Sequence, residues 1–315
     1  MENIVLIIGV LIIGLLLRRL VRYQQRHPEA GKWLFTLPEH LADGLTSFVI
    51  YISLPALVLS RIPGLVLTSE ALIPIVVAWT FLAGSALAVI AVSKAFAWNR
   101  SVRGLLLLLV PLGNTSFVGI PMVQAFLGDA YVPYALLYDQ FGSFIGLATY
   151  GTFIIALYGD GAGERKVEWK TVGLKIVAFP PFVALVLALA TSGMPYPAWL
   201  TQVLQGLAST LVPLVITAVG FKLDLNVNNN LRGPLATGLM LKLIIIPLIA
   251  LGACTALGLS GPAARVSIFE AGMPPQVAAW ALAMKAGIEP ELGASLVGYG
   301  IVLSLVTLPL FSHIL

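Results

Sequence analysis

Asn114, Thr115 and Ser116 stand between Pro111 and Pro121 in the apolar run LLLLLVPLGNTSFVGIPMVQAFLG, and Gln276 follows Pro274 and Pro275 in a second run, VSIFEAGMPPQVAAWALA. Amides and hydroxyls in such a setting are suited to holding a ligand by hydrogen bonds. Proline lacks an N–H and clashes with the preceding turn, so both runs are expected to break. Each break leaves a half-helix whose N-terminus carries unsatisfied N–H groups and the positive end of the dipole, a setting that favours an anion such as a carboxylate. Asn114, Thr115 and Gln276 add side-chain donors beside the breaks. Asp139, in another apolar stretch, and Glu270, in the second run just before its break, are carboxyl groups and candidates for coupling to a proton or a cation. The same side chains have plainer readings. Asn114, Thr115 and Gln276 can hydrogen-bond neighbouring helices, Asp139 can pair with Lys242, and Lys242 reads as snorkelling to a polar interface.

No catalytic pattern competes with this reading. The chain contains no HExxH, GxSxG or GxxxxGK[ST], and His27, His40 and His313 fall in connectors or at the ends of apolar runs. A lone Cys254 excludes a disulfide framework, and neither a metal centre nor any other cofactor is implied. The chain is therefore expected not to be an enzyme. A channel would need a continuous polar stripe, whereas the polar residues here cluster at two breaks.

The elements that must position these residues follow from composition. Of 315 residues 59% are apolar and only 10% charged, with a mean hydropathy of +0.97. Too few charges are present to cover a water-facing surface, which points to a lipid-embedded all-α protein. A bilayer core needs about 20 apolar residues per helix. Ten candidate spans result, at 3–20, 41–60, 71–93, 104–127, 131–157, 172–191, 198–221, 234–258, 262–284 and 292–312. The first is read as retained rather than as a signal peptide, because Arg18, Arg19, Arg22 and Arg26 follow the apolar run instead of preceding it. A carboxylate at the middle of a span costs about 2.5–3.5 kcal/mol, so Asp139 and Glu270 are expected to face the bundle interior or water.

Of the 18 Lys and Arg residues, 14 lie after odd-numbered spans, and only Arg61 and Arg265 lie after even ones. The bias puts the odd connectors in the cytoplasm and both termini on the extracytoplasmic side of a bacterial inner membrane. Basic residues in short patches between spans fit topology and anionic lipid rather than nucleic acid. Trp33, Trp98, Trp169 and Trp199 read as interface anchors. Residues 1–157 and 172–315 then form two five-span halves of opposite orientation, joined by a short cytoplasmic linker at 158–171. Proline placement agrees: Pro55 in span two matches Pro213 in span seven, and Pro121 in span four matches Pro274 and Pro275 in span nine.

The runs NTSFVGIP, SLPALVL, YDQFGSF and MPPQVAAWALA resemble the auxin efflux carrier family, which includes plant PIN-type auxin exporters and bacterial malate or malonate permeases. The resemblance covers essentially the whole chain. It implies ten helices as two inverted five-helix repeats, a fold shared with bile-acid sodium symporters, with broken helices four and nine crossing at mid-membrane. It also implies a scaffold of spans 1, 2, 6 and 7, a transport domain of spans 3–5 and 8–10, and a homodimer. The family's substrate-binding asparagine matches Asn114, and its crossing prolines match Pro121 and Pro274. Ser53 and Pro55 of SLPALVL, with Thr115, Ser116, Pro275 and Gln276, complete the expected substrate-binding set. EAGM also resembles the ETGM run of the bile-acid symporters, where the glutamate binds sodium, so proton and sodium both stay open for Glu270. The long cytoplasmic loop of many plant members is absent, which weakens auxin as the substrate. The expectation is elevator-type transport of a small organic anion, with sodium-coupled symport as the alternative.

Overall fold

A computed structural model describes residues 2–26, 38, 40–65, 68–160, 167–222 and 229–315. His27, Lys32, Trp33, Arg165, Lys166 and the linker stretch 161–166 lie outside the described residues. The described residues are mostly helical. In order the helices are α1 (Glu2–Arg26), α2 (Leu41–Arg61), α3 (Ser69–Ala95), α4 (Arg100–Leu109), α5 (Thr115–Phe126), α6 (Asp129–Tyr158), α7 (Trp169–Val177), α8 (Pro180–Ala190), α9 (Ala198–Lys222), α10 (Arg232–Ala256), α11 (Gly261–Ala271), α12 (Val277–Lys285) and α13 (Pro290–Ile314). Among the described residues there is no strand, only one isolated bridge. Among the described residues six helices, α2, α3, α6, α9, α10 and α13, are long and apolar enough to cross a membrane, and α7 with α8 adds a seventh if the two are one bent span.

The chain divides into two units. Unit 1 comprises Met1–Leu65 and Pro180–Leu223. Its α1 packs along α9. The approach is so close that a Cβ on Gly14 would lie 2.3 Å from the Thr217 carbonyl oxygen, and one on Gly220 would lie 2.4 Å from that of Leu11. Glycine on both faces lets the two backbones meet, as small residues do between helices in lipid. Within the same unit the buried Ser53 hydroxyl pairs with that of Thr210 at 2.7 Å.

Unit 2 comprises Val66–Phe179 and Asp224–Leu315. Its centre is α4, whose Asn99 cap accepts from Val102 N at 2.8 Å. The five leucines Leu105–Leu109 are all buried, because α3, α6, α12 and α13 pack around α4. An apolar face could equally meet lipid, so it is the neighbouring helices that enclose these leucines.

Five helical stretches widen into π-turns: Val49–Ser53, Thr115–Gly119, Tyr138–Phe144, Leu147–Gly151 and Leu241–Ile245. Three of them end two residues before a proline, at Pro55, Pro121 and Pro247. The proline ring crowds the carbonyl four residues earlier, which lies inside the π-turn in each case. Widening the turn moves that carbonyl aside and lets the helix continue.

Candidate functional site

Between α4 and α5 the backbone leaves the helix at Pro111–Asn114, and between α11 and α12 it does so at Gly272–Gln276. Both interruptions lie in unit 2. Pro111, Pro274 and Pro275 each remove a backbone donor. The groups so freed satisfy one another. Asn114 N donates to the Pro274 carbonyl at 2.8 Å and Gln276 N donates to that of Leu112 at 3.1 Å. Gly113 and Pro275 thus form an antiparallel bridge. Two proline-broken segments solve by mutual pairing the problem that buried backbone otherwise faces.

α5 and α12 both begin at this bridge, so two helix N-termini sit next to each other. The Asn114 side chain caps α5, its Oδ1 accepting from Phe117 N at 3.3 Å, while its Nδ2 is buried without a partner. Gln276 stands at the N-cap of α12 but makes no side-chain cap, and its Oε1 is likewise buried and unpartnered. Asn114 is 2% exposed and Gln276 8%. Each idle amide atom is thus enclosed rather than pointed into solvent. Unsatisfied first-turn N–H groups, two positive dipole ends and a free amide donor make a setting that suits a carboxylate.

Thr115 and Ser116 have a different task. Both hydroxyls donate to Asp139 Oδ1, and Gln140 Nε2 donates to Oδ2 at 2.6 Å. Asp139 is fully buried and held by three side-chain donors, two of them from the first residues of α5. Pairing with Lys242 is therefore overturned as the reading of Asp139. The snorkelling reading of Lys242 is overturned as well. Lys242 is 3% exposed, and its Nζ donates to the Ala271 carbonyl at 3.3 Å, capping the C-terminus of α11. Its place in the Leu241–Ile245 π-turn turns the side chain inward, where a positive charge complements the negative end of α11. The Lys242 ammonium also lies beside Gly113, close enough that a Cβ there would be 3.2 Å from Nζ.

Glu270, in the last turn of α11, is fully buried, and neither carboxyl oxygen has a hydrogen-bond partner. It lies against Gly119, where a Cβ would meet Oε2 at 2.3 Å. Pro121, Pro274 and Pro275 are buried within unit 2. Ser53 and Pro55 belong to unit 1, where Ser53 bonds Thr210 and Pro55 follows a π-turn. Two residues of the site escaped the sequence reading, Gln140 and inward-facing Lys242, and Gly119 was read only as part of the break between Pro111 and Pro121. Lys242 carried a signal, a lone charge five residues before Pro247, and Gln140 stood next to Asp139 in YDQFGSF.

Two relatives align with almost the whole chain. One, described as an uncharacterized transporter from Methanothermobacter thermautotrophicus, is 27% identical over 295 residues, covering 90% of this chain and 92% of its own length. Another, described in the same terms, comes from Methanocaldococcus jannaschii and is 24% identical over 291 residues, covering 89% and 91%. The profile of the membrane transport protein family matches residues 29–312. The chain is thus a multi-pass membrane transporter and belongs to this membrane transport protein family, that of the auxin efflux carriers.

Proposed function

We propose that the protein is a secondary active or facilitative transporter of a small organic anion, whose carboxylate binds at the paired interruptions. One observation carries the reading: two helix N-termini meet at the Gly113–Pro275 bridge with the Asn114 Nδ2 buried and idle beside them. Thr115, Ser116, Pro121, Pro274, Pro275 and Gln276 shape the site. In this reading α1, the pair α4 and α5, and the pair α11 and α12 also span the membrane. Ten spans then form two inverted repeats with the interruptions at mid-membrane. Unit 2 moves as the transport domain against unit 1 as the scaffold, in an elevator cycle. Both termini are extracytoplasmic in the bacterial inner membrane, and the scaffold mediates a homodimer.

Coupling falls to Asp139 or Glu270. A buried carboxyl with two unpartnered oxygens, as at Glu270, favours a proton carrier. The oxygens gathered at Asp139, Thr115 and Ser116 favour sodium-coupled symport as the second reading.

The test is Asn114→Ala in reconstituted vesicles. Loss of a hydrogen bond to a charged ligand, about 1.5–3 kcal/mol, weakens affinity roughly ten- to a hundredfold. Dicarboxylates and indole-type acids, read by thermal shift in detergent, identify the ligand class. An unchanged affinity in a folded variant removes Asn114 from the site. Uptake that follows a sodium gradient and ignores a proton gradient selects the second reading.

A further inference from the structure

We propose that the groove between α10 and α13 binds one anionic phospholipid, its acyl chain laid along the groove and its phosphate on Arg232. The cavity encloses about 370 Å³, within the usual range of small-molecule sites. One wall is Leu235, Leu239 and Leu243, and the other is Tyr299, Leu303 and Thr307. Both triplets repeat every four residues, so each presents one continuous stripe of its helix. From Arg232 to Ile244, which also lines the groove, α10 rises twelve residues, roughly 18 Å. That shape suits an extended hydrocarbon chain better than a compact solute.

Arg232 decides the head group. It is exposed, lies in the first turn of α10, and is the one charged residue in the lining. A guanidinium at the end of an otherwise apolar trench complements an amphiphile with a phosphate head. A small polar anion would leave the leucine stripe uncovered, and an uncharged lipid would leave the guanidinium without a counter-charge. A second groove of about 360 Å³, between α3 and α10, serves as the control. Its lining, which includes Val76, Phe81 and Ile249, carries no charged residue, and it takes acyl chains without head-group preference.

The experiment measures lipid binding to the full chain in detergent by native mass spectrometry, with phosphatidylglycerol, phosphatidylcholine and free glycerol phosphate as probes. Phosphatidylglycerol is expected to bind roughly fivefold more tightly than phosphatidylcholine, whose choline cation offsets its own phosphate beside Arg232, the effect of about one basic residue at a lipid surface. Arg232→Gln abolishes that preference. Leu303→Trp fills the trench and lowers phosphatidylglycerol binding, whereas Ile249→Trp in the control groove leaves the preference intact. Equal binding of the two lipids, or a preference that survives Arg232→Gln, overturns the proposal. So does free glycerol phosphate competing as well as the intact lipid, since that marks a head-group site without a chain. Arg232 is exposed, so the Arg232→Gln arm stands even if a tryptophan variant fails to fold.

Discussion

Gly119→Ala puts a methyl group where the Glu270 carboxyl now lies. A Cβ at this position would stand 2.3 Å from Oε2, 2.7 Å from Oε1 and 2.8 Å from Cδ, against an ordinary contact of about 3.5–4.0 Å. The backbone itself is no obstacle, since φ is −60° and ψ is −57°. The conflict is therefore one between side chains. Overpacking a closed site costs about 1–3 kcal/mol, and the gain of alanine over glycine in a helix returns about 0.5–1 kcal/mol. The variant should unfold more easily by roughly 0.5–2 kcal/mol. In a Glu270→Ala background those three atoms are gone and only the helical gain remains. There the same substitution should stabilise by about 0.5–1 kcal/mol, reversing its sign. Denaturant unfolding of the four proteins in detergent micelles closes the cycle and gives a coupling of about 1–3 kcal/mol. Effects that add to within about 0.5 kcal/mol would refute the claim that Gly119 exists to make room for this carboxyl.

Substitutions at two further residues separate holding from transporting. Asp139→Asn should fold to within about 1 kcal/mol of wild type, because Gln140 can turn its idle Oε1 toward the new amide, whereas Asp139→Ala strands the Thr115 and Ser116 hydroxyls and loses about 1–3 kcal/mol. If Asp139 carries the coupling proton, uptake by Asp139→Asn in vesicles no longer responds to a pH gradient, and a retained response assigns the proton elsewhere. Lys242→Met should leave stability within about 1 kcal/mol, since losing the cap on α11 is offset by sparing a desolvated ammonium. Uptake by the same variant should fall, because a positive charge beside Gly113 has been removed. A melt lowered by more than about 2 kcal/mol with normal uptake would make the ammonium purely structural.

Proline and glycine made the two interruptions legible from sequence, because a backbone break is a local consequence of residue type. That Asn114 N would bond Pro274 and Gln276 N would bond Leu112 was not legible, since partner choice across 160 residues is a tertiary fact. Lys242 shows where depth arguments fail. Counting eight residues from a span end placed it near an interface, but a π-turn changes which way a side chain faces, and no propensity announces one. Asp139 was read correctly as needing a partner. The hydroxyls of Thr115 and Ser116 at the start of α5, rather than a lysine, supplied it. Gly119 was legible only as part of the break, because a glycine kept for the sake of a neighbour looks like any other glycine.

The π-turns make some positions in this chain tolerant of a change in length. Each such turn holds its carbonyls to donors five residues on, so removing one residue lets the segment close as ordinary α-helix without a gap. The faces on either side then keep their aim, whereas the same deletion in regular helix swings everything beyond it by about 100° around the axis. Shortening Leu241–Ile245 by one would leave α10 unbroken and its flanking faces against their present neighbours. Single-codon deletions scanned along the gene should therefore fall into two groups. Those in the wide turns yield membrane-inserted protein with its faces still aligned, and those in the regular helices yield helices whose far ends are turned away from their partners.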